Sequence, residues 1–211
     1  MRGVRPLVLL VCVSLSLVGC TARSVSSAVP ATKALASRDE ITGGGDVKTI
    51  YLAGGCFWGL EKYVEQVHGV ASAEVGYANG NSANARYGDG SGYAEAVRVD
   101  YDPQAAPLTF LLDLYYDAID PTSVNRQGND VGSEYRTGIY YTDPADKPVI
   151  ERSIAELQTR LTAPVAIEVA RLTNYARAED YHQDYLDKNP GGYCHIPRKL
   201  MDAAAAARPA K

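Results

Sequence analysis

The chain has 211 residues, 46% hydrophobic and 22% charged. That composition is ordinary for a globular protein and long enough for one domain with a real core. A formal net charge of −4 with no Lys/Arg-rich run excludes a strongly basic nucleic-acid binder, and four cysteines are too few for a disulfide scaffold. Tyr outnumbers Phe by 15 to 2, so the interior must find partners for many hydroxyls.

The first twenty residues read as an address. Arg2 and Arg5 precede a stretch from Leu7 to Val18 broken by Ser14 and Ser16. Twelve residues are too few to span a bilayer, which takes about 20, but suit the apolar region of a signal peptide. Leu17-Val18-Gly19-Cys20 then resembles the lipobox of bacterial lipoproteins. That resemblance implies cleavage before Cys20 and acylation of its thiol. Residues 1–19 are thus expected to leave with Cys12, and losing Arg2 and Arg5 takes the charge from −4 to −6. The expected location is the bacterial cell envelope, lipid-anchored and facing the periplasm or exterior. Residues 20–46, rich in Ser, Ala, Thr and Gly and closed by Gly43-Gly44-Gly45, read as a flexible tether.

A folded domain is expected over 47–200, with a tail over 201–211. Residues 48–53 predict a strand, stopped by Gly54-Gly55. A helix follows from Cys56, with Phe57, Leu60, Val64 and Val67 in one stripe and His68-Gly69 at its end. Strands are predicted over 70–77 and 94–101 by alternation, separated by a polar Gly/Asn-rich loop over 78–92. Pro107 opens a second helix, carrying Leu108, Leu111, Leu112, Tyr115 and Ile119, that Asp120-Pro121 stops. A long polar loop leads to a strand over 136–141. A third helix begins near Asp143-Pro144, with Ile150, Ile154, Leu157 and Leu161 inward. A strand over 165–172, a short helix over 178–188 and a helical end near Ala203–Ala207 complete the chain. The order β-α-β-β-α-β predicts an α+β fold. Its core is ferredoxin-like (split βαβ), with a mixed, largely antiparallel sheet, extra helices and a long coiled C-terminal tail.

Several residues carry chemistry. Cys56 sits between two glycines and Phe57-Trp58 at a helix start, where free N–H groups and the helix dipole favour a thiolate. Glu95 shares strand parity with Val97, Val99 and Tyr101, a face where burial would keep it protonated as a proton donor. Tyr77 ends an apolar strand face, Tyr135 precedes a strand, and Asp130 lies in the dense polar loop Asn125 to Gly132. Cys194 follows Pro190-Gly191-Gly192-Tyr193, so it could resolve an oxidised first cysteine or form a static disulfide with Cys56. His68, His182 and His195 show no metal-ligand spacing; His68 reads as a helix-end residue and His182 as a helix-face one.

Gly55-Cys56-Phe57-Trp58-Gly59 is similar to the signature of A-type peptide methionine sulfoxide reductases. So are Val75-Gly76-Tyr77-Ala78, Ala94-Glu95-Ala96-Val97, Tyr101-Asp102-Pro103, Asp120-Pro121-Thr122-Ser123, Asn125 to Gly132, Tyr135-Arg136 and Glu179 to Leu186. The resemblance covers about residues 47–195. It implies that Cys56 attacks the sulfoxide sulfur, Glu95 protonates the oxygen, and Tyr77 and Tyr135 hold that oxygen. Asp130 would support the nucleophile, and Phe57 with Trp58 would receive the substrate methyl group. It further implies a sulfenic acid on Cys56, a Cys56–Cys194 disulfide, and regeneration by an external dithiol such as thioredoxin. The implied substrate is the S epimer of methionine sulfoxide, free or in oxidised proteins. No metal or organic cofactor and no nucleic acid is implied, and a monomer is expected. The sequence departs from the family pattern at Gly92-Tyr93, where Gly-His is usual, and in a shortened Asn79–Gly92 loop without an Asn-Pro pair. Two rivals are an exported thiol hydrolase pairing Cys56 with a His, and a binding lipoprotein with a structural Cys56–Cys194 disulfide. A histidine within hydrogen-bond reach of Cys56 marks the hydrolase; Glu95, Tyr77 and Tyr135 around it mark the reductase.

Overall fold

A computed structural model describes residues 46–210. The expected signal sequence, Cys12, Cys20 and nearly all of the expected tether lie outside the described residues. Among the described residues no helix is long and apolar enough to cross a membrane.

The elements are β1 (Lys48–Gly54), α1 (Phe57–Val64), β2 (Val70–Ala78), β3 (Ala94–Tyr101), α2 (Leu108–Ala118), β4 (Arg126–Gln127), β5 (Asp130–Val131), β6 (Thr137–Tyr141), α3 (Lys147–Thr159), β7 (Glu168–Arg171), β8 (Tyr175–Arg177), α4 (Tyr185–Lys188) and α5 (Arg198–Ala206). The six-stranded sheet runs β7-β6-β1-β3-β2-β8, and its central order β6-β1-β3-β2 is that of a split βαβ core. Every pair is antiparallel except β6 with β7, so the sheet is mixed and largely antiparallel, as expected.

Period-two alternation divides the sheet into two faces. Ile50, Leu52, Val75, Val97, Val99 and Ile139 bury one face against Leu60, Val64, Leu111, Leu112 and Ile150 of the helices. Ala53, Ala78, Ala94, Ala96 and Tyr140 form a second, thinner cluster on the other face with Tyr51 and Tyr175. Three of the tyrosines tie elements together through backbone carbonyls. Tyr63 donates to the Leu114 carbonyl at 2.9 Å, Tyr115 to that of Ala53 at 2.7 Å and Tyr175 to that of Glu74 at 2.9 Å. Each hydroxyl ties a helix or edge strand to a neighbour, which Phe could not do.

The differences from expectation are local. Helix α1 stops at Val64, and Val67 packs from a following turn. Helix α3 starts at Lys147, after a turn in which Lys48 bridges Asp143 and Asp146 at 3.2 and 3.1 Å. The predicted helix over 178–188 shrinks to Tyr185–Lys188. Gln183 spends its amide on the Val75 backbone, accepting from its N–H and donating to its carbonyl, and Asp184 takes φ +51°. The β4–β5 hairpin and β8 arise where a loop was expected. Helix α5 begins before the alanine run and crosses residue 200, docking through a fully buried Ala204 with Leu200 and Met201 against the core.

This topology gathers the chemistry at one end of the sheet. β1 and β2 both run antiparallel to β3, and β6 runs antiparallel to β1. The ends of β1 and β2 therefore meet the starts of β3 and β6. Gly54 lies opposite Thr137, Ala53 opposite Ala96 and Tyr77 opposite Glu95.

Candidate active site

Cys56 is the N-cap of α1, and its side chain makes no capping bond. Gly55 before it has φ +80°, and a Cβ there would fall 2.5 Å from Gln127 Cβ, so both conformation and space demand glycine. Gln127 is itself fixed by an amide clasp: it accepts from the Asp120 N–H and donates to the Asp120 carbonyl, each at 2.8 Å. The polar loop is thereby held against the turn that carries Cys56.

Glu95 enters from β3 on the helix-facing side of the sheet and is 2% exposed. The Phe57 N–H, free at the first turn of α1, donates to Glu95 Oε2 at 3.1 Å. Burial outweighs that bond and pushes the carboxyl up to about 8, with Asp130 and Glu134 adding to the rise. Glu95 is thus a neutral acid at pH 7, as its strand parity predicts. Cys56 corrects the expectation of a resting thiolate. Burial, with Glu95 second, pushes its thiol well above the usual range, and the Trp58 N–H opposes this without prevailing. Burial thus favours the protonated form of both groups.

The aromatic wall is built around His182. Trp58 Nε1–H donates to His182 Nδ1 at 3.0 Å, and the indole stacks on Tyr185 at 3.7 Å with a 12° interplanar angle. Phe57 lies 5.1 Å from the same imidazole, ring centre to ring centre. His182 is 2% exposed and lies in the turn before α4, not on a helix face. Burial lowers its basicity, and accepting from Trp58 requires a neutral ring.

Tyr77 and Tyr135 are placed differently. Tyr77 Oη–H donates to Glu179 Oε2 at 2.7 Å, so its single proton is committed to that carboxylate and away from a substrate oxygen. Tyr135 is half-buried, and after desolvation Glu95, Tyr87, Cys56 and Asp130 all contribute to raising its hydroxyl well above normal. Tyr93, at the family's usual His position, is buried; its hydroxyl accepts from the Gly88 N–H at 2.9 Å and its ring lies 4.5 Å from that of Tyr77. It closes the short loop and leaves Tyr87, 54% exposed, 5.1 Å from the His182 ring.

Asp130, in β5, accepts from Tyr193 Oη at 3.2 Å and lies 4.0 Å from His195 Nδ1. Cys194 and Cys56 are both free thiols. Cys194 Sγ lies over the first turn of α1, 2.9 Å from where a Gly59 Cβ would be. The structure thus brings Cys56, Glu95, Tyr135, Asp130, Phe57, Trp58 and Cys194 to one end of the sheet, and turns the Tyr77 hydroxyl towards Glu179. Glu179 and His182 lie in the matched Glu179–Leu186 segment, but Tyr87 and His195 carry no local signal. Among the described residues no three His, Cys, Asp or Glu side chains could jointly hold a metal ion.

Residues 48–210 match the model of the family described as peptide methionine sulfoxide reductase. The chain belongs to that family. It is 54% identical over 164 residues to the peptide methionine sulfoxide reductase MsrA of Lachnoclostridium phytofermentans, covering 76% of this chain and 99% of that protein. Among solved structures it is similar to Mxr1 of Saccharomyces cerevisiae in reduced form, with a TM-score of 0.66 and 35% identity over 72% of this chain and 91% of that one. It is also similar to methionine sulfoxide reductase A of Corynebacterium diphtheriae, with a TM-score of 0.65 and 33% identity over 74% and 85% of the two chains. The protein is an oxidoreductase that reduces methionine sulfoxide with thiols. The hydrolase rival loses its discriminating feature as well, because no histidine hydrogen-bonds Cys56 and Glu95 holds the place beside it. The structural disulfide of the second rival is not formed.

Proposed function

We propose that the reductase acts on the S epimer of methionine sulfoxide, with Cys56 as nucleophile, Glu95 as acid and Cys194 as resolving thiol. The observation that carries this reading is a buried, neutral Glu95 facing a buried Cys56 across the free N–H groups of a helix start. A sulfoxide oxygen is a poor leaving group until protonated. Glu95 donates its proton to that oxygen while the Cys56 sulfur attacks the substrate sulfur. The carboxylate takes up the Cys56 proton, because two negative charges in this dry site repel each other. The sulfur–oxygen bond of the substrate breaks, methionine leaves, and Cys56 carries the hydroxyl as sulfenic acid. The net change moves one oxygen atom, with no net gain or loss of protons.

Phe57 and Trp58, held by His182 and Tyr185, form the apolar seat for the substrate methyl group, and Tyr135 orients the oxygen. Asp130 supports the nucleophile from the polar loop. Cys194 then forms a disulfide with Cys56 and releases water. A thioredoxin-like dithiol reduces that bond, and no metal or organic cofactor takes part. The substrates are free methionine sulfoxide and oxidised proteins, and the enzyme is a monomer. It works in the cell envelope, anchored through an acylated Cys20; an intact mass with Gly19 still attached to an unmodified Cys20 would exclude that anchor.

The test is an assay of the two methionine sulfoxide epimers with a dithiol reductant. Turnover of the S epimer alone is expected, and equal rates for both would overturn the stereochemical assignment.

A further inference from the structure

His195 follows the resolving cysteine directly, and the roles given above to Cys56, Glu95 and Cys194 do not use it. Its side chain is 4% exposed, yet neither Nδ1 nor Nε2 makes a hydrogen bond of good geometry. A buried polar ring without partners is costly, so it is retained only where a use offsets the cost. The ring lies against the first turn of α1, where the Cys194 sulfur also sits, and against the glycine that precedes Cys56. Its Cε1 would be 3.2 Å from a Gly55 Cβ, next to Cys56. A Gly59 Cβ would meet Cys194 Sγ at 2.9 Å and His195 Nδ1 and Cε1 at 3.5 Å. Burial keeps the ring neutral, while the nearby Asp130 carboxylate and Gly54 carbonyl both favour its protonated form. Such a ring is empty at rest and has acceptors waiting for a proton once it gains one.

We propose that His195 is the proton carrier of disulfide formation, taking the Cys194 thiol proton and returning it to the hydroxyl that leaves Cys56. The inference rests on the sulfenic acid and resolving-thiol assignments made above. At rest the Cys194 thiol donates to the Ile196 carbonyl at 3.3 Å. In the step, the sulfur–hydrogen bond of Cys194 breaks and its proton passes to the imidazole. The thiolate attacks Cys56 Sγ and the sulfur–sulfur bond forms. The sulfur–oxygen bond of the sulfenic acid breaks with its electron pair on oxygen, and the imidazolium proton completes a water molecule. The Cys56 sulfur is reduced and the Cys194 sulfur is oxidised, so no outside oxidant is needed. The titratable groups set around the ring are Asp130 in β5, which also accepts from Tyr193, and Cys194 beside it in the tail, with Cys56 following Gly55.

The experiment is a rapid-quench single turnover of the full chain without reductant, measuring methionine formed and loss of the second thiol (the first is consumed as Cys56 becomes a sulfenic acid) for the unsubstituted protein, His195→Ala and His195→Asn. Both variants should release methionine at the unsubstituted rate. At pH 7 both should lose the second thiol, that of Cys194, roughly 10²-fold more slowly, within the usual range for a lost acid–base group. The Cys56 sulfenic acid should accumulate and be captured by a 1,3-dione reagent. Their thiol loss should then quicken about tenfold per pH unit, because Cys194 must ionise unaided. Thiol loss at the unsubstituted rate, or slowing by one constant factor at every pH, would overturn the proposal. His195→Asn keeps size and polarity and carries the test if His195→Ala does not fold. Absence of a methionine burst in the unsubstituted protein would instead overturn the underlying assignments, and this proposal with them.

Discussion

Glu95→Gln separates chemistry from stability at one atom. The Gln carbonyl can still accept the Phe57 N–H that now reaches Glu95 Oε2 at 3.1 Å, so the helix start keeps its partner. What is lost is the proton. With the carboxyl at about 8, about nine molecules in ten carry it at pH 7. Removing the acid should slow methionine formation in a single turnover by roughly 10²- to 10⁴-fold. The rate for the unsubstituted enzyme should fall about tenfold per pH unit above 8, and the residual rate of Glu95→Gln should lack that limb. Stability moves the other way. The folded-state value lies above the ordinary carboxyl value of 4.5, so the stabilisation tied to the bound proton is full below about 4.5 and is lost as pH rises towards 8. At pH 7 folding must recruit that proton at a cost of about 3 kcal/mol, which an amide does not incur. Glu95→Gln should therefore melt higher than the unsubstituted protein at pH 7 and lose that advantage near pH 4. An unchanged single-turnover rate, or lower stability at pH 7 than at pH 4 relative to the unsubstituted protein, would refute the reasoning.

Cys194→Ser should release about one methionine per enzyme at the normal rate and then stall unless reductant attacks Cys56 directly; sustained turnover with thioredoxin would remove Cys194 from the cycle. Tyr135→Phe should lower the single-turnover rate more than Tyr77→Phe, because the Tyr77 proton is committed to Glu179 at 2.7 Å; the reverse order would show that Tyr77 rotates to the substrate. Gly59→Ala adds a helix-favouring residue, but its Cβ meets Cys194 Sγ at 2.9 Å. Methionine release should be unchanged and loss of the Cys194 thiol roughly tenfold slower, an overpacking effect; disulfide formation at the normal rate would show that the tail is not seated over α1.

The strands were legible because one face of each is buried: Val97, Val99 and Tyr101 set the parity that also marks Glu95 as buried. Cys56 was legible because its whole environment is local, two glycines before a helix and two aromatics after it. The ionisation of Cys56 was not, because the desolvation that defeats the helix N–H groups comes from chain segments far away. His182 read as a helix-face residue because the segment 178–188 has helical spacing, yet Gln183 ties that turn to β2 and Asp184 leaves helical geometry. Tyr87 and His195 owe their places to a shortened loop and a folded-back tail. No period encodes either, and only the Gly59 and Gly128 surfaces that receive the tail hint at it. Part of the Tyr excess, unexplained by composition, resolves into the hydroxyls of Tyr63, Tyr115 and Tyr175, which bond backbone carbonyls across elements.

The central claim is that Cys56 and Cys194 are the two ends of one oxidation. The most direct measurement mixes the reduced full chain with methionine S-sulfoxide and no reductant, then maps the quenched protein by mass spectrometry. The account predicts one methionine per chain and a disulfide joining the peptides that contain Cys56 and Cys194, formed only when substrate is present. Methionine release with Cys194 still free, or a Cys56–Cys194 bond formed equally without substrate, would contradict it.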